Sequence, residues 1–208
     1  LANLFNGDLV MTNNSIFEKC LDLDAFGRNW GWDRSGLIKH WSDLVIKQSN
    51  KQQIFVKQYS GNKVWKESES GKKIKSLSNK EKVEKEENTF FISTKNHHRV
   101  AWHPSTLWVG IGCERNTSAE FIEDCLNKLL SKYELSSSSI AGLATVDIKK
   151  DEKALIDISN AKNWPIKFFK NEELHKVDVP NPSKKVFKEI GTFLSLIHIS
   201  EPTRRAII

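Results

Sequence analysis

Two stretches of the sequence gather groups able to grip an anion. In Gly110-Ile111-Gly112-Cys113-Glu114-Arg115-Asn116-Thr117-Ser118, a glycine-punctuated run passes into a helix start, where backbone N–H groups converge and favour negative charge. Arg115 adds a planar guanidinium of the kind that pairs a carboxylate through two hydrogen bonds. Gly110 and Gly112 suit a plain tight turn followed by a cap equally well. Neither a full Gly-x-Gly-x-x-Gly nor a Gly-Lys-Ser/Thr signature is present, which argues against a nucleotide site. The second stretch holds Thr145, Asp147, Lys149, Asp151 and Glu152 just after a candidate strand, at the edge where α/β folds place ligands. Its carboxylates also suit helix capping and solvated charge.

Other reactive side chains carry weaker signals. Cys113 sits beside Arg115, which favours a thiolate, yet no base is paired with it, and a small buried residue explains it as well. Cys125 falls on the apolar face of a candidate helix. Asn181 and Ser183 flank two prolines that stiffen their loop, so they either present fixed polar groups or form a loop and an N-cap. His97, His98 and His103 lack a Glu or Cys partner at ligand spacing, and no metal site is expected from them.

The elements that must position these groups can be read from periodicity. Leu107 to Gly112 is an apolar run suited to a strand covered on both faces. Thr117-Ser118-Ala119-Glu120 offers a Thr-x-x-Glu capping box, and Ile122, Cys125, Leu126, Leu129, Leu130 and Tyr133 recur at helical spacing. Ile140 to Val146 reads as a second buried strand, Asp151 to Ala161 as a helix and Pro165 to Phe169 as a third strand. A helical turn is expected over Glu172 to Lys176 and a helix over Ser183 to Ile190. Upstream, Gly7 to Thr12 reads as a turn and strand, Ile38 to Ile46 as a short helix, and Thr89 to Ser93 as a strand. Ile54 to Val56 and Val64-Trp65 are expected to form a hairpin about Tyr59 to Asn62. Alternating strands and helices give an α/β fold, with a three-layer C-terminal domain preceded by a partial α/β and linker region.

Composition bounds the rest. In 208 residues, 38% hydrophobic content with seven Trp and eleven Phe suffices for a real core. From Lys66 to Asn88, Lys, Glu and Ser replace bulky apolar residues, so 66–88 reads as a charged, mobile insertion. The net charge of +6 is spread among interleaved lysines and glutamates, which disfavours nucleic acid but suits a substrate bearing several carboxylates. Three cysteines without a Cys-x-x-Cys pair suit a reducing cytoplasm. No apolar run reaches the roughly 20 residues that span a bilayer, so no membrane is expected.

Several blocks, in order, resemble one family: Trp102-His103-Pro104, Leu107 to Ser118, Ile140 to Lys149, Asp151-Glu152 and Val179-Pro180-Asn181-Pro182-Ser183. Together they are similar to the C-terminal domain of cobalt-precorrin-5A hydrolases of cobalamin biosynthesis. Leu21 to Ala25 with Gly31-Trp32 resembles that family's linker. The resemblance divides the chain into an N-terminal α/β remnant at 1–45, a middle region at 46–104 and a C-terminal domain at 105–193. Residues 194–208 do not resemble the expected final helix; Leu194 to Arg204 reads as translated sequencing adapter, or else as a strand end and turn. Asn116 stands where the family usually has glycine, and most of the family's N-terminal domain is absent.

What the resemblance implies is a specific chemistry. Its substrate is cobalt-precorrin-5A, a cobalt tetrapyrrole with carboxylate arms and a δ-lactone that water opens, releasing acetaldehyde. Cobalt arrives within the substrate and no cofactor is implied. Asp147 or Glu152 becomes the candidate water-activating base, and Gly110, Gly112, Cys113, Arg115, Thr117, Ser118, Thr145, Lys149, Asn181 and Ser183 the candidate substrate contacts. A binding module without chemistry is the alternative. Possible partners are other corrin-pathway enzymes, or a fused precorrin-3B methyltransferase as in the cyanobacterial-type chains that the Trp102 to Arg115 region resembles.

Overall fold

The computed structural model describes residues 20–78, 80–83, 86–96, 98–174 and 197–200. The expected strand at Gly7 to Thr12, His97, the helix at Ser183 to Ile190, Asn181 and Ser183 lie outside them. Two sheets follow one another along the chain. The first has the order β1-β5-β4-β2-β3, built from β1 (Asp33–Ser35), β2 (Phe55–Gln58), β3 (Lys75–Leu77), β4 (Thr89–Ile92) and β5 (Ala101–His103). Only β1 runs antiparallel, against β5.

Aromatic packing explains why this part coheres. Phe26 meets Trp32, Phe90 and Trp102 edge-on with ring centroids 6.2, 5.9 and 5.5 Å away, and Trp65 at 5.1 Å. Such edge-to-face contacts match positive ring edges to negative faces. Three buried indole N–H groups are satisfied: Trp102 donates to the Leu23 carbonyl, Trp41 to that of Ser35, and Trp65 to Gln58 Oε1. Trp41 and Leu44 come from helix α1 (Ile38–Ser49) and join the same cluster as Ile54 and Val56. One core therefore runs across the expected division at 45/46.

Two upstream expectations are corrected. The hairpin does not form: Val64–Glu67 is a 3-10 turn that buries Trp65, and β2 pairs in parallel with β3 and β4. Gln58 Nε2 donates to the carbonyls of Ser60 and Asn62 at 2.9 Å each, while Asn62 Oδ1 accepts the Val64 N–H. These bonds turn the chain away before a hairpin can close. Nor is the charged stretch wholly without structure. Ser68 caps a helical turn at Glu69–Lys72, Ile74 is buried, and Lys75–Leu77 forms β3. An edge strand gains its backbone ladder without a run of apolar side chains, which is why composition concealed it.

The second sheet, in the order β8-β7-β6-β9, contains β6 (Leu107–Ile111), β7 (Ile140–Val146), β8 (Ile166–Phe169) and β9 (Ile197–Ser200). Strands β6, β7 and β8 are parallel, joined through α2 (Ala119–Lys132) and α3 (Lys153–Lys162). Val109, Ile111 and Leu143 face Ile122, Leu126 and Leu130 of α2 and Leu155 and Ile158 of α3 in one core. Two helices from crossovers advancing in the same direction thus cover one face, so the described residues form two layers. The helix expected over Ser183 to Ile190 lies outside the described residues. Within the stretch anticipated as a non-native tail, β9 pairs antiparallel with β6; an open sheet edge accepts any short strand with free backbone groups.

The two parts meet through backbone bonds. Ser136 N–H donates to the Thr94 carbonyl at 2.7 Å, and Asn96 N–H to that of Glu134 at 2.8 Å.

Candidate functional site

The carboxyl ends of β6 and β7 lead into two facing loops. The first, after Ile111, carries Gly112 to Ser118 into α2. Ser118, with φ −70° and ψ 148°, is the N-cap, and its hydroxyl accepts the Phe121 N–H. This corrects the expected capping box by one residue: the Thr117 hydroxyl instead donates back to the Glu114 carbonyl at 2.8 Å. Asn116 takes the left-handed position at φ 60°. Asn visits that region more readily than most residues other than glycine. The second loop is a 3-10 turn, Asp147–Lys149, followed by Lys150, Asp151 and Glu152 at the start of α3.

Arg115 joins the loops. Its Nη1 meets Asp151 Oδ1 at 2.5 Å and its Nη2 donates to the Ile148 carbonyl at 2.7 Å. Both side chains are exposed. The hydrogen bond from Arg115 holds the Asp151 carboxyl below its ordinary range, and Asp151 in turn raises the guanidinium.

Glu152 lies beneath them, 4% exposed. Its Oε1 accepts the Asn116 N–H at 2.9 Å, and its Oε2 sits 3.5 Å from Lys149 Nζ and 3.7 Å from Arg115 Nη1. Lys149 is itself buried. Paired cations of this kind compensate a buried carboxylate that would otherwise be costly to desolvate.

The structure brings Cys113, Arg115, Asn116, Lys149, Asp151 and Glu152 together and sets other candidates apart. Burial pushes the Cys113 thiol up, outweighing the opposing influences of Lys149, Thr117 and Arg115. The expectation of a favoured thiolate is therefore corrected. Thr145 is buried, its hydroxyl donating to the Ile111 carbonyl at 2.8 Å, where it ties β7 to the end of β6. Gly110 lies inside β6, in register with Ala144, while Gly112 opens the loop. Asp147 is half-buried at the start of the 3-10 turn.

Two backbone groups escaped the sequence reading: the Ile148 carbonyl and the Asn116 amide. Side-chain type carries no signal for either. The left-handed preference of Asn was the available clue to a specially aimed N–H at 116.

The histidines belong elsewhere. His103 is buried in the first sheet, with Nδ1 2.8 Å from the Ser93 carbonyl and Nε2 2.7 Å from Ser35 Oγ. His98 stacks on Phe91 with ring centroids 3.9 Å apart. Among the described residues no three His, Cys, Asp or Glu side chains gather as a metal site, and no helix is long and apolar enough to cross a membrane. A groove of about 450 Å³ lined by Asn96, Asn127, Ser131 and Glu134 lies toward the far end of α2 from Arg115. It is therefore separate from the facing loops.

Known proteins are similar to this chain, most specifically in its C-terminal part. Residues 107–193 match the family described as Cobalamin synthesis G C-terminus. A cobalt-precorrin-5A hydrolase from Priestia megaterium is 29% identical over 208 residues, covering 93% of this chain and 54% of that protein. The chain thus spans about half the length of that relative. Among solved structures, CobE, a protein from the cobalamin (vitamin B12) biosynthetic pathway, is 32% identical over 45% of this chain and 66% of its own, with a TM-score of 0.42. A cobalamin biosynthesis protein G homolog from Sulfolobus solfataricus is 14% identical, covering 88% of this chain and 51% of its own, with a TM-score of 0.33.

Proposed function

We propose that the chain is part of a cytoplasmic cobalt-precorrin-5A hydrolase, a reading supported by the match of residues 107–193 to the family described as Cobalamin synthesis G C-terminus. The reaction adds water to the δ-lactone carbonyl, opens the ring to a carboxylate and releases acetaldehyde, leaving cobalt-precorrin-5B. The likeness to the Priestia megaterium hydrolase over 93% of the chain is the observation that carries this reading.

The facing loops suit one part of such a task. Arg115 offers a half-exposed guanidinium to an incoming carboxylate arm, with the Lys149 ammonium just beneath. A bidentate carboxylate contact would replace the exposed Asp151 as its partner. Gly112, Cys113, Thr117 and Ser118 line the first loop, and Asn181 and Ser183 are retained as substrate contacts on sequence grounds. Of the two carboxyl groups first considered as water-activating base, Asp147 is the one outside the Arg115–Lys149–Glu152 cluster, and we assign it that role. No cofactor is required, because cobalt enters with the substrate.

One observation favours a second reading, a corrinoid-binding module without chemistry. Asp151 and Glu152 are both held by cations, so the domain is better furnished to bind carboxylates than to activate water. Mixing the protein with cobalt-precorrin-5A separates the two by absorbance titration and an acetaldehyde assay. Binding with acetaldehyde release supports the hydrolase; binding alone supports the module. Absence of both overturns each.

A further inference from the structure

Glu152 stands at the N-cap position of α3, yet its side chain makes no cap there. The backbone does that work: the Glu152 carbonyl receives the N–H groups of Leu155 and Ile156. The carboxylate turns instead toward the opposite loop and accepts the Asn116 N–H through Oε1. Its Oε2 lies against Lys149 and Arg115 without a hydrogen bond of its own. A water-activating base must come within hydrogen-bond reach of the attacking water, and a carboxylate this deeply buried beneath a guanidinium is badly placed for that.

Resting on the reading that this edge binds substrate carboxylates, we propose that Glu152 is a positioning residue, not the base. It clamps the β6–α2 loop at Asn116 and holds Arg115 and Lys149 at the spacing a carboxylate arm needs. Glu152 Oε1 holds the left-handed turn at Asn116 from the opposite loop, in addition to the Thr117–Glu114 bond within the turn's own loop. Without Glu152, Lys149 would be left as a buried cation deprived of its compensating charge.

Amide hydrogen exchange at Asn116 tests the clamp directly. In E152A the exchange is expected to quicken about tenfold or more, while in E152Q, whose amide oxygen still accepts, it stays within about threefold of the native chain. Equal protection in E152A and the native chain would overturn the proposal. So would exchange of Asn116 at an open-loop rate in the native chain itself, a measurement that stands even where E152A does not fold. This arm needs no substrate, so it survives a failure of the hydrolase reading. Where acetaldehyde release is observed, E152Q is expected to raise KM and to lower kcat by less than about tenfold, whereas a general base would lose about a hundredfold or more in kcat at unchanged KM. The latter result would also overturn the proposal.

Discussion

The guanidinium of Arg115 donates to the Ile148 carbonyl across 2.7 Å, joining two loops that are 33 residues apart in sequence. That bond aims the guanidinium, leaving its charge at the surface beside Asp151. The Arg115–Asp151 pair is exposed, and exposed pairs contribute little to stability. R115A should weaken binding of cobalt-precorrin-5A by about tenfold or more, and its modest cost in stability should come from the lost Ile148 bond and the lost cation beside Glu152, not from the Asp151 pair. R115K, which keeps the charge but not the planar fork, should recover only part of the loss. Native-like affinity in R115A would remove the guanidinium from the binding site.

Asn116 at φ 60° supplies a backbone N–H to Glu152, so the conformation matters more than the side chain. N116G should keep stability within about 0.5 kcal/mol of the native chain, whereas N116A should cost about 1 kcal/mol because alanine has the Cβ but lacks the short polar side chain that lets asparagine occupy the left-handed region. Urea denaturation measures both. Equal stabilities of N116A and N116G would show that the loop relaxes out of this turn.

The C-terminal βαβ units were legible because each helix repeats its apolar residues at helical spacing and each strand is a short apolar run. Leu126 and Leu130 on α2, and Val109 on β6, all fall in the core that this spacing requires. Upstream, legibility failed where partners were distant. The pairing of Lys75 with Phe55 is a backbone ladder between segments 20 residues apart, and nothing in the types of Lys75, Ser76 and Leu77 announces it. At the site, residue type singled out Arg115 and Glu152 in two separate stretches, and the fold brings them together. Their roles depended on burial: one is half-exposed and the other 4% exposed, a difference only the fold creates.

Gly142 is a position where the sheet tolerates no side chain. A Cβ there would stand 2.5 Å from the Pro165 carbonyl and 2.7 Å from the Trp108 ring, over which Lys167 Nζ lies 4.0 Å from the centroid. G142A must displace either the β8 backbone or the indole. A loss of about 1–3 kcal/mol is expected, the usual cost of overpacking a closely fitted interior. Denaturant unfolding followed by Trp fluorescence would reveal it, and unchanged stability would mean that Trp108 moves freely.

Buried His103 makes the first sheet sensitive to acid. Burial lowers its pKa below the ordinary 6.5, against opposing effects from the Ser93 carbonyl and the charge of Asp33. The unfolded chain therefore binds this proton more readily than the folded one. The stability this residue contributes is complete above pH 6.5, begins to fall below it, and is lost as pH drops through the lower folded value. A neutral ring can donate one N–H and accept at the other nitrogen, bridging the Ser93 carbonyl and Ser35 Oγ; a charged ring must be desolvated. Unfolding free energy measured from pH 8 to pH 5 should decline more steeply below pH 6.5 in the native chain than in H103N, which cannot titrate there. H103N should be the less stable of the two at pH 8, because one of the two bonds is lost, and the gap should narrow toward pH 5. Parallel pH profiles for the two chains would show that His103 does not carry this dependence.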